Sequence, residues 1–104
     1  AKAAYERFLA DAERDDSLRF GALEGIALAE EGKGNLDAAA QAYERLGREA
    51  PAFSDRADLD RARVLAQAGK AAEAKELLSA FGEKHKESQL TAEASGRLGQ
   101  LGGK

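Results

Sequence analysis

The fold is decided by residues 34–51, GNLDAAAQAYERLGREAP, because much of this stretch recurs in altered form on either side. When the sequence is shifted by 35 residues, small and glycine residues fall on one another without a gap: Ala27 on Ala62, Gly34 on Gly69, Ala39 on Ala74 and Gly47 on Gly82. The same shift places Tyr43 on Leu78 and Leu46 on Phe81. A shift of 38 residues places Ala4-Tyr5-Glu6-Arg7 on Ala42-Tyr43-Glu44-Arg45. One unit therefore occurs about three times.

The period of this repeat indicates pairs of helices. Small, aromatic and turn residues at fixed offsets, repeated every 34 to 38 residues, are typical of stacked helix-turn-helix units rather than of a β-sandwich or a doubly wound sheet. Gly34 and Gly69 are expected to end helices, and Asn35 to cap the next one. Gly47 and Gly82 lie within predicted helices, where glycine is unfavourable. Their equivalence under the 35-residue shift indicates close backbone contact between successive units, and fraying of the helix is the alternative.

The repeated unit resembles the tetratricopeptide repeat. The residues that carry this resemblance are Ala27, Gly34-Asn35, Ala39, Tyr43, Leu46 and Pro51 in the first copy, and Ala62, Gly69, Ala74, Leu78 and Phe81 in the second. The second copy departs from the family pattern at Lys86, where proline is expected, and at Asp58, where a large apolar residue is expected. The resemblance implies an all-α fold, a right-handed solenoid of antiparallel helix pairs with about six helices and a C-terminal capping helix.

The whole chain, residues 1–104, is expected to form one such domain. Residues 1–14 are predicted to be the second helix of a partial repeat, residues 16–51 and 54–86 to be two repeats, and residues 88–101 to be the capping helix. The first of these segments places Tyr5 and Phe8 on one face of the predicted helix. Such an aromatic face is expected to pack against another part of the protein or against another molecule. We therefore expect that the parent protein continues upstream or that another molecule covers this face.

Composition narrows the possible functions. The chain of 104 residues has no cysteine, a single histidine and a net charge of −3. It therefore has no disulfide framework and no thiol chemistry, and it is not basic enough for nucleic acid to be an expected partner. No apolar run is long enough to span a bilayer, so we expect no direct membrane insertion by this segment.

Candidate catalytic residues are scarce. His85 is expected to favour a helix C-terminus rather than to act in chemistry, and the serines have no histidine and acid nearby in sequence. No metal-ligand spacing and no phosphate-binding loop is found. The sequence therefore predicts a protein that is not an enzyme and that takes no cofactor and no metal.

What remains is a surface for binding a protein or peptide. In tetratricopeptide arrays the first helices of successive units line a concave groove. The resemblance places eight residues of this chain there: Glu24, Leu28, Glu31, Arg56, Leu59, Arg63, Glu93 and Arg97. The family's clamp of lysine and asparagine for a C-terminal carboxylate is not met, because Glu24 and Leu28 occupy two of its places. Mixed charge around two leucines suits a peptide with both apolar and charged contacts.

Three functions stay open at this point. The first is a non-catalytic interaction scaffold that binds a peptide or partner protein in the groove. The second is a self-association domain that oligomerises a larger, possibly membrane-anchored, parent protein through the Tyr5 and Phe8 face. The third is a non-catalytic appendage of an enzyme. Residues 33–40, KGNLDAAA, and residues 86–94, KESQLTAEA, also resemble stretches of bacterial cell-envelope tetratricopeptide proteins. This resemblance favours a periplasmic or cell-envelope location.

Overall fold

Five helices follow one another in the computed structural model, which describes residues 16–102 and, in the segment before them, Ala4 alone. They are α1 (Asp16–Gly32), α2 (Leu36–Glu49), α3 (Ser54–Gln67), α4 (Ala71–Lys84) and α5 (Thr91–Gln100), with a 3-10 turn at Pro51–Phe53 between α2 and α3. The described residues contain no strand. The all-α prediction is confirmed. A sixth helix was predicted within residues 1–14, which lie outside the described residues except for Ala4.

Each helix packs on the next one in the chain, and ion pairs show that neighbours run antiparallel. Arg19, near the start of α1, bonds Glu49 at the end of α2. The Lys70 ammonium, just after α3, lies 3.0 Å from the carboxylate of Asp37 at the start of α2. Because the loops between these helices are only a few residues long, antiparallel packing is the arrangement they permit.

The turns after α1 and α3 have the same construction. Gly34 and Gly69 both adopt positive φ, at 80° and 83°, a conformation that glycine reaches without steric cost. The following N–H group then reaches back to the helix before it, from Asn35 to the Glu30 carbonyl at 2.9 Å and from Lys70 to the Leu65 carbonyl at 2.8 Å. These equivalent bonds lie 35 residues apart, so the same turn recurs at the period of the sequence repeat.

The predicted cap at Asn35 takes a different form. Its side chain makes no cap hydrogen bond to α2. Instead, its Nδ2 donates to Glu30 Oε1 at 3.0 Å, which fastens the turn to the end of α1. The second copy has Lys70 at this place, so the turn depends on the glycine and the backbone bonds rather than on a capping side chain.

Large side chains fill the space that small ones leave between the helices. The largest fully buried side chains are Tyr43, Phe81, Leu23, Leu46 and Val64, and alanines 27, 39, 62 and 74 are at most 1% exposed. Alanine at a helix contact lets two axes approach closely, and a ring or leucine from the next helix then fills the groove. Tyr43 and Phe81, two of the residues that carry the repeat, thus belong to the core.

The two interior glycines differ from each other. A Cβ atom on Gly47 would lie 3.4 Å from the Cβ of Ala57, so α2 approaches α3 closely there. A Cβ atom on Gly82 would meet nothing within 4 Å. The predicted close contact is found at Gly47. For Gly82 the prediction is wrong, because this residue lies on an exposed side of α4.

Polar contacts join the start of α3 to the end of α4. Asp58, which stands where the repeat pattern has a large apolar residue, is 9% exposed, and its Oδ2 lies 2.8 Å from both the Lys84 ammonium and His85 Nε2. The His85 ring also packs on Phe81, with centroids 4.8 Å apart. Ser88 Oγ donates to Asp55 at 2.7 Å and accepts the N–H of Leu90, just before α5. These bonds set the chain's direction into α5.

No helix among residues 16–102 is long and apolar enough to cross a membrane. The right-handed solenoid remains a prediction.

Candidate protein-binding face

Helix α1 presents three of the predicted groove residues in one row. Glu24, Leu28 and Glu31 are spaced i, i+4, i+7, which places them on one side of a helix. Leu28 is 52% exposed, whereas the carboxylate side chains of Glu24 and Glu31 are 25% and 18% exposed. This part of α1 therefore carries an exposed leucine side chain between two carboxylates that form ion pairs.

Helix α3 presents a row with the same spacing, although its middle residue differs from the prediction. Arg56, Asp60 and Arg63 are spaced i, i+4, i+7. Leu59, predicted to line the groove, is only 5% exposed and belongs to the core. A one-residue step turns a side chain by about 100° around a helix, since one turn takes about 3.6 residues. Asp60 therefore occupies the place that the sequence analysis gave to Leu59.

The two rows are joined by ion pairs between α1 and α3. Arg56 Nη2 lies 3.4 Å from Glu24 Oε2, and the Arg56 guanidinium lies over the Phe20 ring, 5.4 Å from its centroid. Phe20 in turn stacks on Phe53 at 4.3 Å. The aromatic pair thus supports one end of the face, and Arg56 covers it by a cation–π contact.

The other end of the joined rows holds a network that reaches into the core. Arg63 donates two hydrogen bonds to the Glu31 carboxylate, at 2.7 and 2.9 Å. The hydroxyl of Tyr43, from α2, donates to Glu31 Oε1 at 2.9 Å. Bidentate arginine–carboxylate pairs are stronger and more directional than ordinary surface pairs. Tyr43 therefore packs between the helices and also fixes a charged pair on the face.

The network shifts the pKa values of its members. Hydrogen bonds from Arg63 lower the pKa of Glu31, against the opposing effect of burial. Burial, and then the hydrogen bond to Glu31, raise the pKa of Tyr43. The hydrogen bonds to Glu31 raise the pKa of Arg63. The ionised carboxylate, the neutral phenol and the cationic guanidinium are the forms that this geometry stabilises.

Asp60 lies between Arg56 and Arg63 in the row on α3, and its pKa is shifted in opposite directions by burial and by these arginines. Burial raises the pKa of Asp60, although Arg63 and Arg56 act to lower it. Its Oδ1 lies 3.7 Å from Arg63 Nη2. Arg63 is thus shared between an acidic residue of α1 and one of its own helix.

Helix α5 extends the face beyond α3. Arg97 Nη2 lies 3.4 Å from Glu93 Oε2, and Arg97 Nε is buried without a hydrogen-bond partner among the described residues. A cleft of about 200 Å³ separates α5 from α3, and its lining is Ala62, Arg63, Ala66, Gln67, Leu78, Arg97, Gln100 and Leu101. The cleft has an apolar floor and two arginines among its walls.

The two rows, the charged pair of α5 and the cleft between α3 and α5 together are called the α1–α3–α5 face. The residues of the rows and of the charged pair are Glu24, Leu28, Glu31, Arg56, Asp60, Arg63, Glu93 and Arg97. The structure thus brings seven of the eight predicted residues onto the surfaces of α1, α3 and α5. Sequence reasoning missed Asp60, Phe20 and the cleft. The i, i+4, i+7 spacing from Arg56 identifies Asp60, whereas the cleft depends on how α5 docks, which no sequence pattern here specifies.

The surface of α2 and α4 has a different chemistry. A cleft there is lined mainly by polar side chains, including Asp37, Glu44, Arg61, Lys70 and Glu73. Arg61 Nη2 lies 3.9 Å from Glu44 Oε2, a weak surface pair. This surface offers no counterpart to the open Leu28.

Among residues 16–102, no three His, Asp or Glu side chains are grouped so that they could hold a metal ion. Tyr5 and Phe8, predicted to form a self-association face, lie outside the described residues.

Comparison with known proteins brings no match: no family model fits the chain, and no curated protein or solved structure is significantly similar to it.

Proposed function

We propose that this domain is a non-catalytic interaction scaffold whose α1–α3–α5 face binds an extended peptide or a helix of a partner protein. The observation that carries the proposal is the setting of Leu28. Its side chain is 52% exposed, and on the same row of α1 its neighbours Glu24 and Glu31 are each paired with an arginine of α3.

Charged side chains that are already held in place reduce the conformational entropy that is lost on binding. Immobilising a long side chain at an interface costs roughly 0.5–1.5 kcal/mol. Because Arg63 is already held by Glu31 and Arg56 by Glu24 and Phe20, a partner that contacts this face need not order them again. Burial of the exposed Leu28 side chain against the partner then supplies favourable binding free energy.

The cleft between α3 and α5 offers a second place for an apolar side chain. Alanines 62 and 66 together with Leu78 and Leu101 supply apolar contacts there, and Arg63 and Arg97 supply donors. The ligand class that fits the whole face is a peptide with two apolar residues and charged residues of both signs between or beside them.

We further infer that α1–α2 and α3–α4 are two tetratricopeptide-like units of a right-handed solenoid, with α5 as the cap. The support is the equivalence at 35 residues: positive φ at Gly34 and Gly69, the same backbone bonds beside them, and helices α2 and α4 that both have 14 residues. A periplasmic or cell-envelope location belongs to the same proposal.

The test is a selection of peptides from a random display library against the domain, followed by affinity measurement on the selected peptide by fluorescence anisotropy. Leu28→Asp is expected to weaken binding by about tenfold or more, because a buried apolar contact becomes a desolvated charge. Ser79→Asp, which adds the same charge at an exposed site on α4, is the matched control and should bind as the parent does. Equal affinity of the Leu28→Asp variant and the parent would place the binding site elsewhere.

A further inference from the structure

The cleft between α3 and α5 contains a hydrogen-bond donor that has no acceptor. Arg97 Nε is buried and has no partner among the described residues, although it belongs to a charged guanidinium group. Buried polar atoms of folded proteins are nearly always hydrogen-bonded, so an unpaired one indicates a water molecule or a ligand. The cleft that Arg97 lines has a volume of about 200 Å³, and a cavity of about 150 Å³ can hold a benzene molecule. It therefore has room for one side chain of a bound peptide.

Arg97 is held less firmly than the other two arginines of the α1–α3–α5 face. Arg63 donates two hydrogen bonds to Glu31 of another helix, and Arg56 pairs with α1 and packs over an aromatic ring. Among the described residues, the ion-pair partner of Arg97 is Glu93 of its own helix, at 3.4 Å, and the Glu93 side chain is 50% exposed. Exposed pairs of this kind contribute little. A carboxylate of a partner can therefore replace Glu93 at small cost.

The lining of the cleft fits a carboxylate at the end of an apolar stem. It includes no aspartate and no glutamate; Asp60 of α3 interacts electrostatically with Arg97 but does not line the cleft. Gln67 and Gln100, both exposed, bring amide donors to its edges. The apolar part of the lining consists of Ala62, Ala66, Leu78 and Leu101.

The position of the unpaired donor favours glutamate over aspartate. Because Arg97 Nε is buried, an acceptor has to enter the cleft to reach it as the guanidinium turns away from Glu93. Glutamate has one methylene group more than aspartate, which lengthens its reach and adds apolar contact inside the cleft. A carboxylate that accepts hydrogen bonds from two nitrogen atoms of one guanidinium forms a bidentate pair, which is a strong and directional contact.

We propose that the cleft between α3 and α5 binds a glutamate side chain of the partner peptide, whose carboxylate accepts hydrogen bonds from Arg97 and whose methylene groups contact the alanines and leucines of the lining. The inference rests on the proposed function and narrows its ligand class, because the apolar contact in the cleft is made by the stem of an acidic residue. Leu28 on α1 then contacts an apolar residue and Arg97 on α5 an acidic one. These two contacts together set the direction in which the peptide crosses the face.

A double-mutant cycle on the library-selected peptide tests the proposal. Each acidic residue of the peptide is replaced in turn by its amide, and fluorescence anisotropy gives the affinity for the parent domain and for Arg97→Gln. One change of glutamate to glutamine should weaken binding to the parent by about tenfold. The same change should weaken binding to Arg97→Gln by less than about twofold, because the partner of the carboxylate is already absent. Arg48→Gln removes the same charge at an exposed site on α2; this matched control should show the full tenfold loss.

The Arg97 Nε–H signal in nitrogen-15 NMR spectra separates direct contact from a structural role. It should shift when the selected peptide binds and shift less with the glutamine-substituted peptide. Amide signals of α1 and α2 that are the same in Arg97→Gln and in the parent show that the fold persists.

The outcomes distinguish this proposal from the proposed function. Binding that depends on Leu28 while no acidic residue couples to Arg97 would overturn the present proposal and leave the proposed function standing. An Nε–H signal that stays in place when the peptide binds would also overturn it, because water alone then satisfies this donor. Coupling to Arg97 in a peptide that binds Leu28→Asp as tightly as the parent would support the glutamate site and contradict the role of Leu28.

Discussion

Replacing Tyr43 by phenylalanine keeps the ring and removes the hydroxyl, which also accepts a long hydrogen bond from Arg63 Nη2 at 3.4 Å. The Tyr43 hydroxyl donates to Glu31 Oε1 at 2.9 Å, and hydrogen bonds to charged groups contribute roughly 1.5–3 kcal/mol. Because Arg63 still donates two bonds to Glu31, the carboxylate is not left without partners. We therefore expect a loss at the lower end, about 1.5 kcal/mol in the free energy of unfolding.

Replacing Tyr43 by alanine also removes the ring. The side chain is 1% exposed, so the change leaves a cavity between α1, α2 and α3, which costs roughly 3–5 kcal/mol. The two variants thus separate the contribution of the hydroxyl from that of the ring.

Urea unfolding followed by circular dichroism measures both losses, and the slope of free energy against urea concentration should stay unchanged. In a thermal scan, Tyr43→Phe should melt roughly 6–12 °C below the parent, since 1 kcal/mol shifts the midpoint of a domain of this size by about 4–8 °C. The reasoning fails if Tyr43→Phe unfolds with the free energy of the parent, or if Tyr43→Ala is no less stable than Tyr43→Phe.

Three further predictions follow from single residues. The pKa of Glu31 is lowered in the folded state from its ordinary value of 4.5, so its contribution to stability is complete above that value and is lost as pH falls through the folded pKa; Glu31→Gln should show a weaker loss of stability in acid urea titrations than the parent. Gly82→Ala should stabilise by about 0.5–1 kcal/mol, because a Cβ there meets nothing within 4 Å and glycine is unfavourable inside a helix; a lower melting temperature would contradict this. Gly34→Ala and Gly69→Ala should each destabilise by about 1–2 kcal/mol, and by similar amounts, because both positions have positive φ, which is costly for a residue with a Cβ atom; urea unfolding that leaves either variant as stable as the parent would contradict the equivalence of the two turns.

The helices and the turns between them were largely predictable because their determinants are local. Glycine at the turns and alanine at helix contacts repeat at a fixed offset, and backbone sterics then dictate the same turn twice. Gly47 and Gly82 mark the limit of that reasoning. They are equivalent in sequence, yet of the two only Gly47 has a side chain of another helix, Ala57, within van der Waals distance of its Cβ position.

The α1–α3–α5 face was predictable as rows of residues but not as a set of contacts. Helical spacing gives the row of Glu24 and Glu31, whereas the length and direction of Arg63 decide which carboxylate it binds. Asp58 illustrates the same point in the core, where its bonds to Lys84 and His85 replace the apolar contact that the repeat pattern predicts. Such pairs depend on helix–helix register, which a single sequence does not specify.

The most direct test of the account is to map, by amide chemical shifts, where the library-selected peptide binds. The account predicts that the largest shifts fall on the α1–α3–α5 face, around Leu28, Arg56 and Arg97, and that the surface of α2 and α4 around Glu44 and Glu73 stays unchanged. Shifts confined to that second surface, with none at Leu28, would contradict it.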